Sequence, residues 1–415
     1  MSRRFRTVAW PILVALAAAA CGAHASPDSP DSPDGTAVAA SGRTCIPLTE
    51  FEGGGVENAP VLERKFPWFQ LDPVVLEGFP YEGIVSGGPP PDGIRPIDEP
   101  CFDEVAAVDW LQPQSPVMVV EVGDDRRAYP LAIMTQHEIV NDVIGGVPVV
   151  VTYCPLCNSG LAFERTVDGQ VLDFGTSGHL FQSNLVMYDR QTKSLWTQFT
   201  GKAVVGEDHV GTELVRLPTS LLNFEEFTEA APDGHVLSRE SMPGRDYGRN
   251  PYPGYEGSGD TFLFDGPRDD QLPPNTRVVG LGTDVDPIAI ALPLLQQDRV
   301  VDVELDGETV TVWWAPGQAS ALDAASIDEG VDVGSTGVFR PVLDDGTALT
   351  FVVDPSDPTR FQDRESGSTW NLLGEAVEGP RAGERLEPIA RDDTFWFVWF
   401  AFQPQSQVVG ASAVS

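Results

Sequence analysis

Along most of the chain the apolar positions come in short runs rather than at helical spacing. "PVMVVEV" (116–122), "VPVVVTY" (147–153), "LAFERTV" (161–167), "QVLDFG" (170–175), "NLVMYDR" (184–190) and "LWTQF" (195–199) are bounded by Gly, Asp or Pro, as strands between turns are. Asp168-Gly169 predicts a hairpin turn, because both residue types tolerate the left-handed backbone that a tight turn demands. One stretch reads differently. In "PLAIMTQHEIVNDVI" (130–144), Ile133, His137, Val140 and Ile144 share one stripe at helical spacing, which predicts a helix with His137 facing inward. The expected fold class is mainly β, or α+β.

The pattern is also written twice. "YDRQTKSLWTQFTGKAVVG" (188–206) is echoed by "QDRESGSTWNLLGEAVEG" (362–379), with Asp189 over Asp363, Trp196 over Trp370 and Gly201 over Gly374. Upstream, "HEIVNDVIGGVPVVVTYCPLC" (137–157) lies over "QDRVVDVELDGETVTVWWAPGQ" (297–318). Two degenerate repeats are expected, 115–242 and 277–411, each a β-rich unit with one short packed helix. A Gly- and Pro-rich linker (243–276) joins them, and an N-terminal extension (45–114) precedes them. The copies differ where chemistry would be: Cys154 falls opposite Ala315, Cys157 opposite Gln318 and His137 opposite Gln297.

The start of the chain sets a compartment. Arg3, Arg4 and Arg6, then "VAWPILVALAAAA", then small residues before Cys21 read as a signal peptide over residues 1–20. "AAAC" is similar to the lipobox of bacterial lipoproteins, which makes Cys21 the expected lipidation site; cleavage after "AHA" (23–25) is the alternative. The Ser/Pro/Asp-rich stretch to residue 44 has the composition of a tether. The expected location is the extracytoplasmic face of a membrane, held by an N-terminal lipid, where an extracytoplasmic protein partner would be met. Charge narrows the partners further. The 415 residues carry 62 Asp and Glu against 26 Lys and Arg, net −36, which repels phosphate backbones and argues against nucleic-acid binding.

Four cysteines remain after Cys21. Cys45 and Cys101 flank a segment with little core of its own, so a structural disulfide between them is expected in an oxidising compartment. Cys154-Pro-Leu-Cys157 then has three readings. Two thiolates with one imidazole suit a soft metal, copper first and zinc second, with His137 as third ligand and His179 or Met187 as an optional fourth. A two-residue spacer equally suits a thiol–disulfide couple, although "NSGLAFER" after it does not open the helix of a thioredoxin-like motif. A structural cystine is the third reading. No serine sits in a nucleophile elbow, and Asn158 stands where covalent haem would need histidine.

"PPPDGIRPIDEP" (89–100), "RAYPLAIMTQHEIVNDVIGGVPVVVTYCPLCNSGLAFER" (127–165), "DFGTSGHLFQSNLVMYDRQTKSLWTQFTGKAVVG" (173–206) and "YGRNPYPGY" (247–255) together resemble the family catalogued as domain of unknown function 3179. The resemblance implies that His137, Cys154 and Cys157 are motif positions of that family, with His179 outside the shared pattern. It supplies no reaction.

Overall fold

The computed structural model describes residues 43–45, 74–282 and 286–413. Cys21, the leader and most of the tether and of the N-terminal extension lie outside the described residues.

The chain is mainly β, as the short apolar runs predict. Strand Pro116–Val122 turns through Gly123, which has φ 61°, and pairs antiparallel with Asp125–Pro130. Thr219–Asn223 flanks the first of these, and His235–Leu237 lies parallel to the second. Cys101–Glu104 and Arg43–Cys45 extend this sheet outward, with Cys45 directly opposite Cys101. Their sulfurs form the expected disulfide. A second sheet is the meander Ile139–Ile144, Val147–Cys154, Ser159–Glu164 and Arg216–Leu217. A third is built on the hairpin Phe174–Phe181 and Asn184–Asp189. The Asp168-Gly169 turn is present, with φ 50° and 80°, between two-residue strands.

The strand order recurs in the second half. Asp392–Phe395, Arg277–Leu281, Ile288–Ala291 and Gln407–Val409 form one sheet whose last two strands again run parallel. Val300–Leu305, Glu308–Ala315, Ser335–Arg340 and Glu387–Pro388 repeat the meander, and Phe351–Val353 through Ala376–Glu378 repeat the third sheet. Side-chain details recur too. Trp196 Nε1 donates to the buried Asp189 at 3.0 Å, and Trp370 Nε1 to the buried Asp363 at 2.9 Å. Gly201 and Gly374 have φ 66° and 75°, and a Cβ on either would strike the ring of Phe163 or Phe339.

Three expectations need correction. Each half carries two seven-residue helices, not one: Leu131–His137 and Phe224–Ala230 in the first, Leu292–Asp298 and Trp396–Phe402 in the second. Their apolar runs are too short to show a helical period. The helix expected through residue 144 stops at His137, capped by Glu138 in left-handed backbone (φ 60°), and Ile139–Ile144 is a strand. Five of that strand's six residues are buried, so its alternation is erased and its β-branched residues mimic a helical stripe. Finally, the helix Leu131–His137 matches Leu292–Asp298 residue for residue, so His137 faces Asp298 rather than Gln297. Glu138 and Arg299 are the matching caps, each accepting the backbone N–H of the residue before the strand end (Tyr153 and Trp314).

The described residues form one unit, and its largest apolar cluster mixes the halves: Val151, Tyr153, Cys154 and Leu161 pack with Phe395, Trp396 and Trp399. No described helix is long and apolar enough to cross a membrane.

Candidate functional site

The two motif cysteines stand at a β-hairpin. Strand Val147–Cys154 ends on the first, and Ser159, which begins the next strand, pairs with it across the turn. Between them Cys157 N–H donates to the Cys154 carbonyl at 3.1 Å, and Asn158 completes the reversal at φ 52°. A four-residue turn with Pro155 in its second place bends both sulfurs to one side. Their Sγ atoms lie 2.7 Å apart, and both residues are buried, Cys154 2 % and Cys157 0 % exposed.

Three layers of polar groups hold this pair. The Ser183 carbonyl faces both sulfurs, at 3.8 Å from Cys154 and 3.5 Å from Cys157. Asn184 Nδ2 donates to Cys157 Sγ at 3.3 Å and to Gln198 Oε1 at 2.6 Å, and Gln198 Nε2 reaches Thr152 Oγ1 at 3.0 Å. The second half supplies the rest: Phe395 N–H and Thr394 Oγ1 donate to the Cys157 carbonyl at 3.0 and 2.8 Å. Burial, and then the adjacent Cys154 sulfur, push the Cys157 thiol well above its ordinary pKa, against the pull of the Asn184 amide.

The segment expected to be a linker is a strap across these cysteines. Tyr255 Oη donates to the Leu156 carbonyl at 3.1 Å, and Ser183 Oγ to the Phe262 carbonyl at 2.5 Å. Glu256 pins the strap to the second half by pairing with the part-buried Arg277, 2.5 Å to Nε and 2.8 Å to Nη2. Burial alone would neutralise both groups. Their mutual attraction outweighs it, lifting Arg277 and lowering Glu256, so both stay charged.

Five of the twelve described non-glycine residues with positive φ lie around the same place. Glu138, Asn158, Gln182, Ser183 and Leu263 all hold positive φ without being glycine, at 60°, 52°, 52°, 66° and 47°. Each costs conformational energy of order 1 kcal/mol. Asn158 belongs to the cysteine turn, Ser183 carries the carbonyl facing it with Gln182 just before, Leu263 belongs to the strap, and Glu138 hydrogen-bonds the residue before Cys154. Asn158 Nδ2, Ser159 Oγ and Gln182 Oε1 are buried there without hydrogen-bond partners among the described residues. Strain and unmatched polar atoms also coincide elsewhere, as at Asp92 and His209, but around the cysteines several meet on one pair of side chains, as at functional sites.

Other expected ligands stand elsewhere. His137 has Nδ1 2.6 Å from the Arg95 carbonyl and Nε2 2.8 Å from Tyr247 Oη. Burial lowers its pKa, so the neutral ring donates to the carbonyl and accepts from the tyrosine, and neither nitrogen points to a sulfur. His179 sits at a bulge in strand Phe174–Phe181, with Nδ1 3.1 Å from the Ser177 carbonyl. Met187 is fully buried apolar core. Among the described residues, no three His, Cys, Asp or Glu side chains gather as metal ligands would.

Sequence reasoning passed over Glu138. Its residue is 7 % exposed, and its carboxyl has neither a hydrogen bond nor an ion pair among the described residues. Burial pushes it up to about 8, and it bears electrostatically on Cys157 and on Tyr252 of the strap. Its signal in the sequence is weak, since it is one of two acids, with Asp142, in the run 131–144.

No curated protein and no solved structure matches the chain. Residues 91–406 match the family model described as protein of unknown function (DUF3179), from the Pro-rich approach to the first sheet through the last helix, and the chain belongs to that family.

Proposed function

We propose that Cys154 and Cys157 are a reversible dithiol–disulfide couple and that the chain is an exported thiol–disulfide oxidoreductase. The observation that carries this reading is the geometry of the sulfurs. At 2.7 Å they are closer than two thiolate ligands of one metal ion stand. Two thiolates on a tetrahedral zinc, with Zn–S near 2.3 Å, stand about 3.8 Å apart, so holding copper or zinc would require the turn to open by about 1 Å. A bonded cystine needs about 2.05 Å, a smaller movement. The absence of a third ligand among the described residues points the same way. In this reading the sulfurs are each other's partners and His137 positions the segment around Arg95 and Tyr247.

The leader sequence and the Cys45–Cys101 disulfide support an oxidising, extracytoplasmic setting, with Cys21 as the lipid anchor. The recurrent strand order supports an internal duplication, the second copy having lost the cysteines and serving as scaffold.

The test is a thiol count and metal analysis of the protein equilibrated in buffers of graded thiol–disulfide ratio, beside a Cys154→Ser/Cys157→Ser variant. Two thiols that disappear and return reversibly in the parent alone support the couple. Near-stoichiometric copper or zinc in the parent, with thiols that resist oxidation, would replace it with the metal reading. A cystine that never reduces in the folded state, and whose loss costs only about 2–4 kcal/mol of stability, would leave a staple.

A further inference from the structure

When a cystine opens, one sulfur bonds to the incoming group and the other leaves with the electron pair, so the two sulfurs of a couple need different surroundings. Here they have them. Both face the Ser183 carbonyl, an acceptor that suits an S–H and repels a thiolate. Cys157 alone of the two also receives a side-chain N–H among the described residues, from Asn184 Nδ2 at 3.3 Å.

The fold dictates the direction of that bond. An amide can be turned end for end, but Asn184 Oδ1 accepts the Phe199 backbone N–H at 3.0 Å, which leaves Nδ2 on the sulfur side. Nδ2 also donates to Gln198 Oε1 at 2.6 Å. Gln198 is fixed in the same way, because its Nε2 donates to the Ser159 carbonyl at 3.3 Å and to Thr152 Oγ1 at 3.0 Å. The Thr152 hydroxyl in turn donates to the Leu161 carbonyl at 2.9 Å. All three side chains are buried, and every amide end is set by a backbone group that can play one role only. The half without cysteines lacks this chain too. Trp313 takes the place of Thr152, each preceding the residue whose N–H the helix cap accepts. Leu372 stands two residues after Trp370, where Gln198 follows Trp196, and Pro358 five residues before Asp363, where Asn184 precedes Asp189.

We propose that Asn184 is a catalytic residue of the cysteine couple: it stabilises Cys157 as the leaving thiolate when the cystine opens, which makes Cys154 the sulfur that exchanges with substrate. This rests on the thiol–disulfide reading above. Gln198 and Thr152 are positioning residues that hold the amide. With a small-molecule thiol as reductant, the substrate thiolate attacks Cys154 Sγ. A substrate–Cys154 bond forms, the Cys154–Cys157 bond breaks, and its electron pair goes to Cys157, facing the Asn184 N–H. A second substrate thiolate attacks the substrate sulfur of this mixed disulfide, and Cys154 leaves with the electron pair. The two protons shed by the substrate thiols end on Cys154 and Cys157. The cystine is reduced by two electrons, and two thiols are oxidised to one disulfide. In the reverse direction the Cys157 thiolate is the attacking group, so the same N–H serves both. A hydrogen bond to a charged atom in a buried site is stronger than one to a neutral atom, so Asn184 favours the transition state over either resting form.

The experiment uses the full-length protein, oxidised, as parent and as Asn184→Leu, with reduced glutathione as probe and cystine opening followed by thiol release. Asn184→Leu should open about 10- to 100-fold more slowly, the effect of one hydrogen bond to a charged atom. In a Cys154→Ser background the same change should raise the pH at which Cys157 thiolate absorbance appears by about one to two units, the same factor in proton affinity. Cys157→Ser should trap glutathione as a mixed disulfide on Cys154, and Cys154→Ser should trap far less on Cys157. Parent-like opening and titration in the leucine variant, or trapping on Cys157 instead, overturns this inference and leaves the couple standing. A parent whose cystine neither opens nor re-forms overturns the couple itself, and this role with it. If Asn184→Leu fails to fold, the parent with isotope-labelled asparagine decides by nuclear magnetic resonance. One side-chain amide should move as the dithiol is titrated to its thiolate, and amides that all stay in place overturn the role.

Discussion

Glu226 allows the cost of burying an acid to be measured away from the cysteines. It lies in the first turn of helix Phe224–Ala230, is 7 % exposed, and neither carboxyl oxygen has a hydrogen-bond partner among the described residues. Burial outweighs the nearby Ser335 hydroxyl and Arg360 and pushes it up to about 8 from an ordinary 4.5. Between those values the folded chain keeps a proton that the unfolded chain has lost, so the unfolding free energy falls as pH rises. Each pH unit in that window is worth about 1.4 kcal/mol, and integration from about pH 5 to about pH 8 gives about 3–4 kcal/mol for this one group. Glu226→Gln has no proton to keep. Urea unfolding of both proteins at several pH values across that range should therefore show the variant gaining on the parent by about 3–4 kcal/mol as pH rises. Glu138 contributes the same kind of slope to both chains and cancels. Parallel stability curves for parent and variant would show that Glu226 is ionised in the folded state, and the burial argument would fail.

Two further outcomes follow from buried ion pairs. Glu256→Gln leaves the charge of Arg277, whose side chain is 10 % exposed, uncompensated; it should cost up to about 3–5 kcal/mol and, by freeing the strap, raise the alkylation rate of Cys154 in the native protein. An unchanged alkylation rate would mean that the strap does not guard the thiols. Asp142→Ala should lower stability by a similar amount, about 3–5 kcal/mol by chemical unfolding, because the fully buried carboxylate accepts from both Arg127 Nη1, at 2.7 Å, and Tyr129 Oη, at 2.5 Å. A loss below about 1 kcal/mol would place Arg127 in contact with water instead.

How far the sequence could be read depended on how much of each signal was local. The Cys45–Cys101 bond, 56 residues apart, follows from counting cysteines, while the strands Pro116–Val122 and Val147–Cys154 and the Asp168-Gly169 turn declare themselves within a few residues. The cysteine turn did as well, since nothing after Asn158 could open a helix. Where burial is continuous, as in Ile139–Ile144, periodicity carries no information, and the helix was read seven residues too far. His137 was misplaced for another reason. Its partners, Arg95 and Tyr247, are 42 and 110 residues away, and no local pattern distinguishes a ring that is hydrogen-bonded to them from a ring aimed at a metal. The stretch 243–276 has the Gly and Pro content of a linker, yet its tyrosines are what dock it over the cysteines.

The anchoring of Cys157 from the far half has a consequence for how this protein could be dissected or could evolve. Phe395 and Thr394 grip the Cys157 carbonyl, and Arg277 holds the strap through Glu256. The half without cysteines is thus part of the floor and the latch of the cysteine pocket. An expression clone ending after the first half would lose both, so the smallest fragment worth making includes the last helix. By the same logic the two halves cannot drift independently: a change at Arg277 or Thr394 is a change to the thiol site, made 120 residues or more along the chain from the nearer cysteine.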